Sequence, residues 1–228
     1  MMTMRFKFKR DEKLRFISHL DQQCLFQRAF RRAEIPMAYS AGYNPHPKLA
    51  FSGAMALGMT SEEEYADIGL TEEVTPDDFV EKMNYSLPDG ISILEAWEVD
   101  NKVPSLMSSV EKSVYQISFY DEDINFNEKD LNEIIDAFLD QKIITVQKRN
   151  KKGRLKETNI RPFIDELSFI EQNEDTLVFG LSLKYIEQKC VKPILVMKEL
   201  NEFGGLNLTV DETMGIHKTQ QILRKIED

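Results

Sequence analysis

The sequence contains little cysteine and little histidine for its 228 residues. Its two cysteines, Cys24 and Cys190, form neither a CxxC pair nor a cluster with histidine. This pattern excludes a disulfide framework and argues against a structural zinc site. We expect Cys24, which falls on the apolar face of a predicted helix, to lie in the core.

Long apolar runs are also absent. None approaches the roughly 18–20 residues that a membrane-spanning helix needs, and the N-terminal MMTMRFKFKR has no apolar core of the kind found in signal peptides. A composition of 42% hydrophobic and 30% charged residues is ordinary for a globular chain. We therefore expect a soluble cytoplasmic protein without a membrane partner, long enough for one large or two small domains.

Charges of the two signs are unevenly distributed along the chain. The net charge is −10, but residues 1–48 carry +6 and residues 142–161 carry +7, whereas residues 49–141 carry −18 and residues 162–228 carry −5. Two basic blocks in an acidic protein favour a cationic surface for an anionic partner. The alternative is that both blocks are ordinary solvated faces.

The first hundred residues predict the element order β-α-β-β-α-β. Met4, Phe6 and Phe8 alternate with basic residues, which indicates a half-buried first strand. The other predicted elements are a helix over about 18–34, strands at 49–55, 65–70 and 91–99, and a second helix opening at Pro76. Residues 101–110 are predicted to be a linker.

Two capping patterns mark where these helices begin. Ser18 and Asp21 have the spacing of a capping box. Thr75 precedes Pro76, which suits an N-cap followed by proline at the first helical position.

The second half is predicted to repeat this order. Its expected elements are strands at 115–119, 142–148, 175–185 and 206–210, helices at 127–139 and 193–203, and an insertion of open form at 159–171. The predicted fold class is therefore α+β, with two tandem ferredoxin-like (βαββαβ) halves, similar to RAMP proteins. The predicted domains are 1–105, with the YSAGYNPHPK loop, and 106–228, with a basic loop at 148–161.

Four stretches carry a resemblance to a known family: ISHLD, RAFRRAEIPMAYSAGYNPHPKLAFSGAMALG, EEEYADIGL and KKGRLKETNIRPFI. On these stretches the chain resembles the radical-SAM-associated family of unknown function, a bacterial domain fused to radical SAM proteins or encoded beside them. The resemblance implies a radical SAM partner. The family's usual neighbourhood with ribonuclease E/G and ribosomal protein genes implies work on RNA. The chain itself lacks the CxxxCxxC motif of a radical SAM enzyme, and we expect it to hold no cofactor.

Structured RNA, with tRNA or rRNA as the main candidates, is the predicted ligand. Pro45 and Pro47 stiffen the loop 39–48, whose aromatic side chains suit base stacking, while the basic residues suit phosphate. The candidate RNA-binding residues are Arg5, Lys7, Lys9, Arg28, Arg31, Arg32, Tyr39, Tyr43, Asn44, His46, Lys48, Arg149, Lys151, Lys152, Arg154 and Lys156. In the alternative interpretation the two tyrosines pack under the loop and the basic residues are merely solvated.

Two further functions stay open at this point. The chain is also similar to the CRISPR repeat-processing endoribonucleases of the RAMP class, for which His19, His46 and Lys48 would be the catalytic candidates. Gly204-Gly205 is too short to replace the glycine-rich C-terminal loop of those enzymes. The other function is a protein-interaction module that holds the radical SAM partner without RNA. A metal site on His19, His46 and Asp21 matches no ordinary ligand spacing, so no metal is predicted.

Overall fold

The computed structural model describes residues 2–100, 103–121, 125–149, 155–211 and 213–224, without the side chains of Lys148, Arg149 and Lys156. The chain divides into two compact units. The first holds residues up to Val110 and those from Gln220 onward, and the second holds Glu111–Thr219. Both contain strands and helices, so the predicted α+β class is confirmed.

The first unit follows the order strand, helix, strand, strand, helix, strand. Its elements are β1 Met2–Arg10, α1 His19–Arg32, β2 Leu49–Phe51, β3 Met59–Leu70, α2 Pro76–Ser86, β4 Ile91–Val99 and the single-turn α3 Leu106–Ser109. In its sheet the strands lie in the order β4-β1-β3, and β2 also pairs with β3. Each of these pairings is antiparallel.

The core of the first unit lies between one face of this sheet and the helices α1 and α2. Met4, Phe6 and Phe8 of β1 point into it, as their alternation predicted. The Phe6 ring lies 5.5 Å from the ring of Phe26 on α1 and 5.5 Å from the ring of Phe79 on α2, measured between ring centroids. The opposite face of β1 therefore carries the odd-numbered residues.

Both predicted helix starts are confirmed. The Ser18 side chain accepts a hydrogen bond from the backbone N–H of Asp21, and the Asp21 side chain accepts one from the backbone N–H of Ser18, which completes the capping box. Thr75 accepts a hydrogen bond from the Asp78 N–H, with Pro76 as the first helical residue. Cys24, however, is exposed on α1, so its predicted place in the core is wrong.

The second unit has more strands than the sequence predicts. Its elements are β5 Val110–Tyr120, α4 Glu128–Leu139, β6 Thr145–Arg149, β7 Leu155–Asn159, β8 Ile164–Gln172, β9 Thr176–Lys184, α5 Pro193–Gly204 and β10 Gly215–Leu223. Its sheet has the order β10-β5-β9-β8, and β6 with β7 forms a separate two-stranded sheet. β10 contributes its residues up to Thr219 to this unit and those from Gln220 to the first.

Three predictions for this region need correction. The supposed insertion 159–171 contains the strand β8, which pairs with β9. The predicted last strand at 206–210 does not form, because Leu206 and Leu208 are held after α5, where the Asn201 side chain bonds the backbone of Leu208. The final strand is β10, in a segment whose buried residues include the polar Lys218 and Gln221. The predicted linker contains α3 and the start of β5.

Candidate nucleic-acid interface

The loop 39–48 is closed at its root by its own backbone. Tyr39 and Pro47 form an isolated antiparallel bridge. Within it, the Ser40 N–H donates to the His46 carbonyl at 2.8 Å, and the His46 N–H donates to the Ser40 hydroxyl at 3.0 Å. The loop therefore forms a narrow hairpin that projects its tip.

Backbone hydrogen bonds also fix this root to β3. The Ala38 N–H donates to the Gly69 carbonyl at 2.8 Å, and the Gly69 N–H donates to the Lys48 carbonyl at 2.9 Å. The Lys48 N–H in turn donates to the Ala38 carbonyl at 2.8 Å. Both ends of the loop are thus attached to one residue of a central strand, which holds the loop in a defined position.

The tip of the loop presents its aromatic side chains to solvent. Tyr43 is 100% exposed and Tyr39 is 42% exposed, so the alternative in which both tyrosines pack under the loop is wrong. Asn44, His46 and Lys48 are exposed as well. Gly42 adopts a φ of +126°, a backbone conformation that residues with a side chain rarely adopt. This position beside Tyr43 therefore requires glycine.

Two of the three arginines on α1 are available to a ligand. Arg28 and Arg31 are exposed, and no hydrogen bond or ion pair to their guanidinium groups is found in the part of the chain that the structure describes. Arg32 instead donates from its guanidinium to the Ser86 carbonyl of α2 at 2.6 Å. The first two are therefore the better phosphate anchors.

Arg5 does not lie on an open cationic surface as predicted. It is 4% exposed, and its guanidinium donates to both carboxylate oxygens of Asp67, at 2.7 and 2.9 Å. Because the two residues lie opposite each other on β1 and β3, the pair is part of the sheet. The predicted phosphate contact of Arg5 is therefore wrong, because its guanidinium is buried and paired with Asp67.

Lys7 is partly neutralised by acidic neighbours. Its ammonium lies 3.2 Å from a Glu63 oxygen, 3.9 Å from a Glu95 oxygen and 5.7 Å from the centroid of the Tyr65 ring. Burial acts to lower the pKa of Lys7, but the Glu63 hydrogen bond and these neighbours outweigh it and raise the pKa. Lys9 is the exposed lysine of this strand, so β1 offers one accessible cation rather than three.

The five candidate RNA-binding residues of the second basic block fall wholly or in part outside the described residues. Lys151, Lys152 and Arg154 lie outside the described residues, and the side chains of Arg149 and Lys156 do as well. The backbones of Arg149 and Lys156 belong to β6 and β7. The proposed RNA contacts of these five residues stay a prediction.

The catalytic candidates occupy different settings. The His19 ring packs edge-on against Phe51, with 5.6 Å between ring centroids, and its Nε2 lies 3.3 Å from the Gln23 amide nitrogen. His46 is exposed in the loop, and Asp21 is engaged in the capping box. Within the described ranges, no group of three or more His, Cys, Asp or Glu residues is arranged to hold a metal ion.

Sequence reasoning missed a buried cation, Arg10. It is fully buried and donates to the Gln22 side chain at 3.0 Å and to the carbonyls of Ala56 and Met59 at 3.1 and 2.8 Å. Burial lowers the pKa of Arg10, and the charge of Glu64 opposes this. Arg10 occupies an even-numbered position of β1, as the core residues of that strand do, and this position was the sequence signal for its burial. Arg10 thereby ties the end of β1 to α1, to the first residue of β3 and to the segment before it.

The structure thus defines an α+β protein with an exposed, aromatic-tipped loop and accessible arginines in its first unit. A family model described as an uncharacterized protein conserved in bacteria (DUF2344) matches residues 3–193. The chain belongs to this family. No curated protein matches it. No helix in the described part of the chain is long and apolar enough to cross a membrane.

Chains of two solved structures are similar to this chain at very low sequence identity. A chain from "Crystal Structure of a Cbf5-Nop10-Gar1 Complex" matches with a TM-score of 0.50 and 7% identity, over 96% of this chain and 48% of that chain. One from "Structure of H/ACA RNP bound to a substrate RNA containing 2'-deoxyuridine" has a TM-score of 0.46 and 8% identity, over 95% and 47% of the two chains. This chain therefore spans about half the length of each of these two solved chains.

Proposed function

We propose that this protein is an RNA-binding accessory protein, with tRNA or rRNA as its RNA, that acts beside a radical SAM enzyme in the bacterial cytoplasm. The observation that carries the RNA part is the fully exposed Tyr43 at the tip of a hairpin whose root is fixed to β3. An exposed aromatic ring on a preorganised loop suits base stacking, because little conformational entropy is lost when the base binds.

Accessible cations support the same proposal. Arg28 and Arg31 on α1, Lys9 on β1 and Lys48 at the end of the loop are exposed. The hydrogen bonds of Pro36 and Ala38 to Thr71 and Gly69 place the chain that follows α1 beside the end of β3, next to the loop root. The arginines of α1, Lys48 and the stacking rings therefore belong to one end of the first unit, whereas Lys9 lies towards the other end of β1, opposite Ser92. Cations position the RNA backbone, and the aromatic side chains engage its bases.

We also infer that each unit is a ferredoxin-like domain, as its sequence pattern predicts. Support in the first unit comes from the antiparallel order β4-β1-β3 with β2 beside β3. In the second unit it comes from the order β10-β5-β9-β8, with β6 and β7 as an added hairpin. The radical SAM partner is inferred from the sequence resemblance alone.

A second candidate function is a protein-docking module for that partner. It is favoured by exposed apolar side chains around the start of α1, namely Phe16, Leu20 and Leu57. The Gly58 N–H donates to the Arg15 carbonyl at 2.8 Å, which brings the segments of Phe16 and Leu57 together. Exposed apolar groups of this kind are typical of protein contacts. A ribonuclease role for His19, His46 and Lys48 stays a prediction.

Filter binding of the purified chain to bulk tRNA and to rRNA fragments, over a salt series, tests the proposed function. We expect log affinity to fall linearly with log salt, by roughly 0.7–0.9 per phosphate contacted. Weak binding that does not change with salt would contradict the RNA proposal. Co-elution with the radical SAM protein after nuclease treatment would then favour the docking module.

A further inference from the structure

The last residue of β5 presents an aromatic ring to solvent in the second unit. Tyr115, Ile117 and Phe119 of this strand are buried in the core. Because side chains alternate along a strand, Tyr120 lies on the opposite face of the sheet, where it is 65% exposed. We refer to this side of the sheet β10-β5-β9-β8, opposite the core of the second unit, as the outer face.

The Tyr120 ring lies over a glycine of the neighbouring strand β10. A Cβ on Gly215 would lie 2.9 Å from the Tyr120 hydroxyl oxygen and 3.5 Å from its Cε2 atom. Real Cβ atoms essentially never approach another atom as closely as 2.9 Å, so the ring can occupy this position because Gly215 has no side chain. The ring is therefore supported by the sheet, and its exposed area faces away from β10.

Apolar side chains continue the outer face from β5 across β9 to β8. Val178 of β9 pairs with Ser118 of β5, two residues before Tyr120, and so lies on the outer face. Gly180 shares that face, and a Cβ there would lie 3.3 Å from the Ile170 Cδ1 atom of β8. Ile170 itself is 44% exposed. The outer face thus carries an apolar surface that extends over three strands.

The end of the sheet beside Tyr120 is acidic. Asp121 follows the ring, and its backbone N–H donates to the Asp175 carbonyl at 3.0 Å. Glu174 and Asp175 lie between β8 and β9, and Glu171 is the penultimate residue of β8. The side chains of these four acidic residues are exposed. A negative potential of this kind repels a phosphate backbone and attracts a cationic partner.

Two exposed tyrosines of the chain therefore have neighbours of opposite charge. Tyr43 belongs to the loop that ends at the exposed Lys48, whereas Asp121 and Asp175 lie beside Tyr120. Nucleic-acid bases and guanidinium groups both stack on a tyrosine ring. The charge of the neighbours selects between them, and beside Tyr120 it favours the cation.

We propose that the outer face between Tyr120 and Ile170 docks an arginine-rich segment of a protein partner, a role separate from the function proposed for the first unit. The planar guanidinium of arginine stacks on an aromatic ring and pairs with carboxylates. Its aliphatic stem packs on apolar surface while the charged head stays in water. One arginine side chain thus matches the ring, the apolar surface and the acidic end of the sheet. Exposed apolar surface with a polar rim is typical of protein contacts.

Fluorescence anisotropy with labelled peptides tests the inference on the full chain. The probe is a nonapeptide in which glycine alternates with arginine, and two matched peptides carry lysine or the neutral isostere citrulline instead. We expect the arginine peptide to bind at low salt, the lysine peptide to bind more weakly because its ammonium has no stacking plane, and the citrulline peptide not to bind. Equal binding of the arginine and citrulline peptides would overturn the proposal. The result does not depend on whether the chain binds RNA.

Variants of the ring locate the site. Tyr120→Ala should weaken binding of the arginine peptide about two- to fivefold, as expected for the loss of an exposed cation–π contact. Tyr120→Phe keeps the ring and should bind as the parent does. Tyr85→Ala removes an exposed tyrosine of α2 in the first unit and is the matched control. An equal loss in Tyr120→Ala and Tyr85→Ala would overturn the assignment to this face.

A second pair of variants separates local charge from net charge. Glu171→Gln with Glu174→Gln removes two carboxylates beside the ring and should weaken binding and reduce its salt dependence. Glu133→Gln with Asp136→Asn removes two exposed carboxylates of α4 and should change binding less. Equal effects of the two double variants would show that the peptide responds to net charge alone and would overturn the proposal. Loss of oligouridine binding in Tyr120→Ala, with peptide binding unchanged, would assign the ring to RNA instead.

Discussion

Arg5 and Asp67 lie opposite each other on β1 and β3, and two hydrogen bonds, from Nε to Oδ1 at 2.7 Å and from Nη2 to Oδ2 at 2.9 Å, join them. The side chains are 5% and 17% exposed. An arginine and a carboxylate in this bidentate geometry hold each other in a fixed plane. The charge of Arg5 is therefore used inside the first unit, where its fork fixes the plane of the Asp67 carboxylate.

Removing this arginine should destabilise the protein. Arg5→Ala leaves the mostly buried Asp67 carboxylate without its partner, and we expect the free energy of unfolding to fall by about 3 kcal/mol. Urea unfolding of the full chain measures the change. Lys9→Ala, at the exposed position of the same face, is the control and should alter stability by less than about 0.5 kcal/mol. Equal stability of both variants would mean that the pair has no structural role.

The sequence predicts the local structure of the first unit well because its signals are local. Ser18, Asp21 and Pro76 act within one helical turn, so their spacing is sufficient to locate two helix starts. The state of Arg5 depends on a carboxylate 62 residues away, and no pattern within β1 reveals it.

The end of the chain shows a second limit of prediction from the sequence. An alternating strand pattern depends on polar residues facing solvent, but Lys218 and Gln221 are buried in β10. Leu206–Val210 alternates more clearly and is not a strand. The prediction that Cys24 lies in the core fails for a related reason, since Cys24 lies outside the arc of α1 that packs on the sheet. Only the three-dimensional structure shows how wide that arc is.

The exposed tyrosine of the loop should contribute directly to RNA affinity. Tyr43→Ala removes the ring proposed to stack on a base, and we expect binding to single-stranded RNA to weaken by about 1–3 kcal/mol. Tyr85→Ala is the matched control, because Tyr85 is also an almost fully exposed tyrosine but lies on α2. Fluorescence anisotropy measures both. Equal affinities of the two variants would remove Tyr43 from the interface.

The arginines of α1 should set the salt dependence of binding. Arg28→Ala with Arg31→Ala removes two proposed phosphate contacts, so the slope of log affinity against log salt should decrease by roughly 1.4–1.8. Because both side chains are exposed, the melting temperature should change little. The double variant Lys192→Ala with Lys198→Ala removes two exposed cations elsewhere and should keep the slope. A collapse in melting temperature of the arginine variant would show that these residues are structural.

The end of α1 offers a stabilising substitution. Glu34 has a φ of +54°, and the Ile35 N–H donates to the Phe30 carbonyl at 3.0 Å while the Glu34 N–H donates to the Arg31 carbonyl at 3.3 Å. This is the Schellman arrangement, in which glycine is preferred at the left-handed position. Glu34→Gly should therefore raise the free energy of unfolding by about 0.5–1 kcal/mol. Glu34→Ala, which keeps a Cβ, should not, and an equal gain from both would show that the backbone strain is not the cause.

Asp165 should make stability depend on pH in the second unit. Its oxygens lie 2.7 Å from the Lys184 ammonium and 3.1 Å from the Lys112 ammonium. The hydrogen bond from Lys184, reinforced by Lys112 and opposed by burial, lowers the pKa of Asp165. A carboxyl group with a lowered pKa in the folded state stabilises above its unfolded pKa of about 3.9, and this stabilisation is lost as the pH falls through the folded value.

Asp165→Asn should consequently lower the free energy of unfolding at pH 7 by about 1 kcal/mol, because the ion pairs are partly exposed. The difference from the parent should shrink as the pH is lowered from 5 towards 2, since both proteins then lack the charge. Urea unfolding at each pH measures it. Asp136→Asn, at an exposed position of α4, should show no such convergence. A difference for Asp165→Asn that stays constant down to pH 2 would mean that the lysines act on this residue through packing rather than charge.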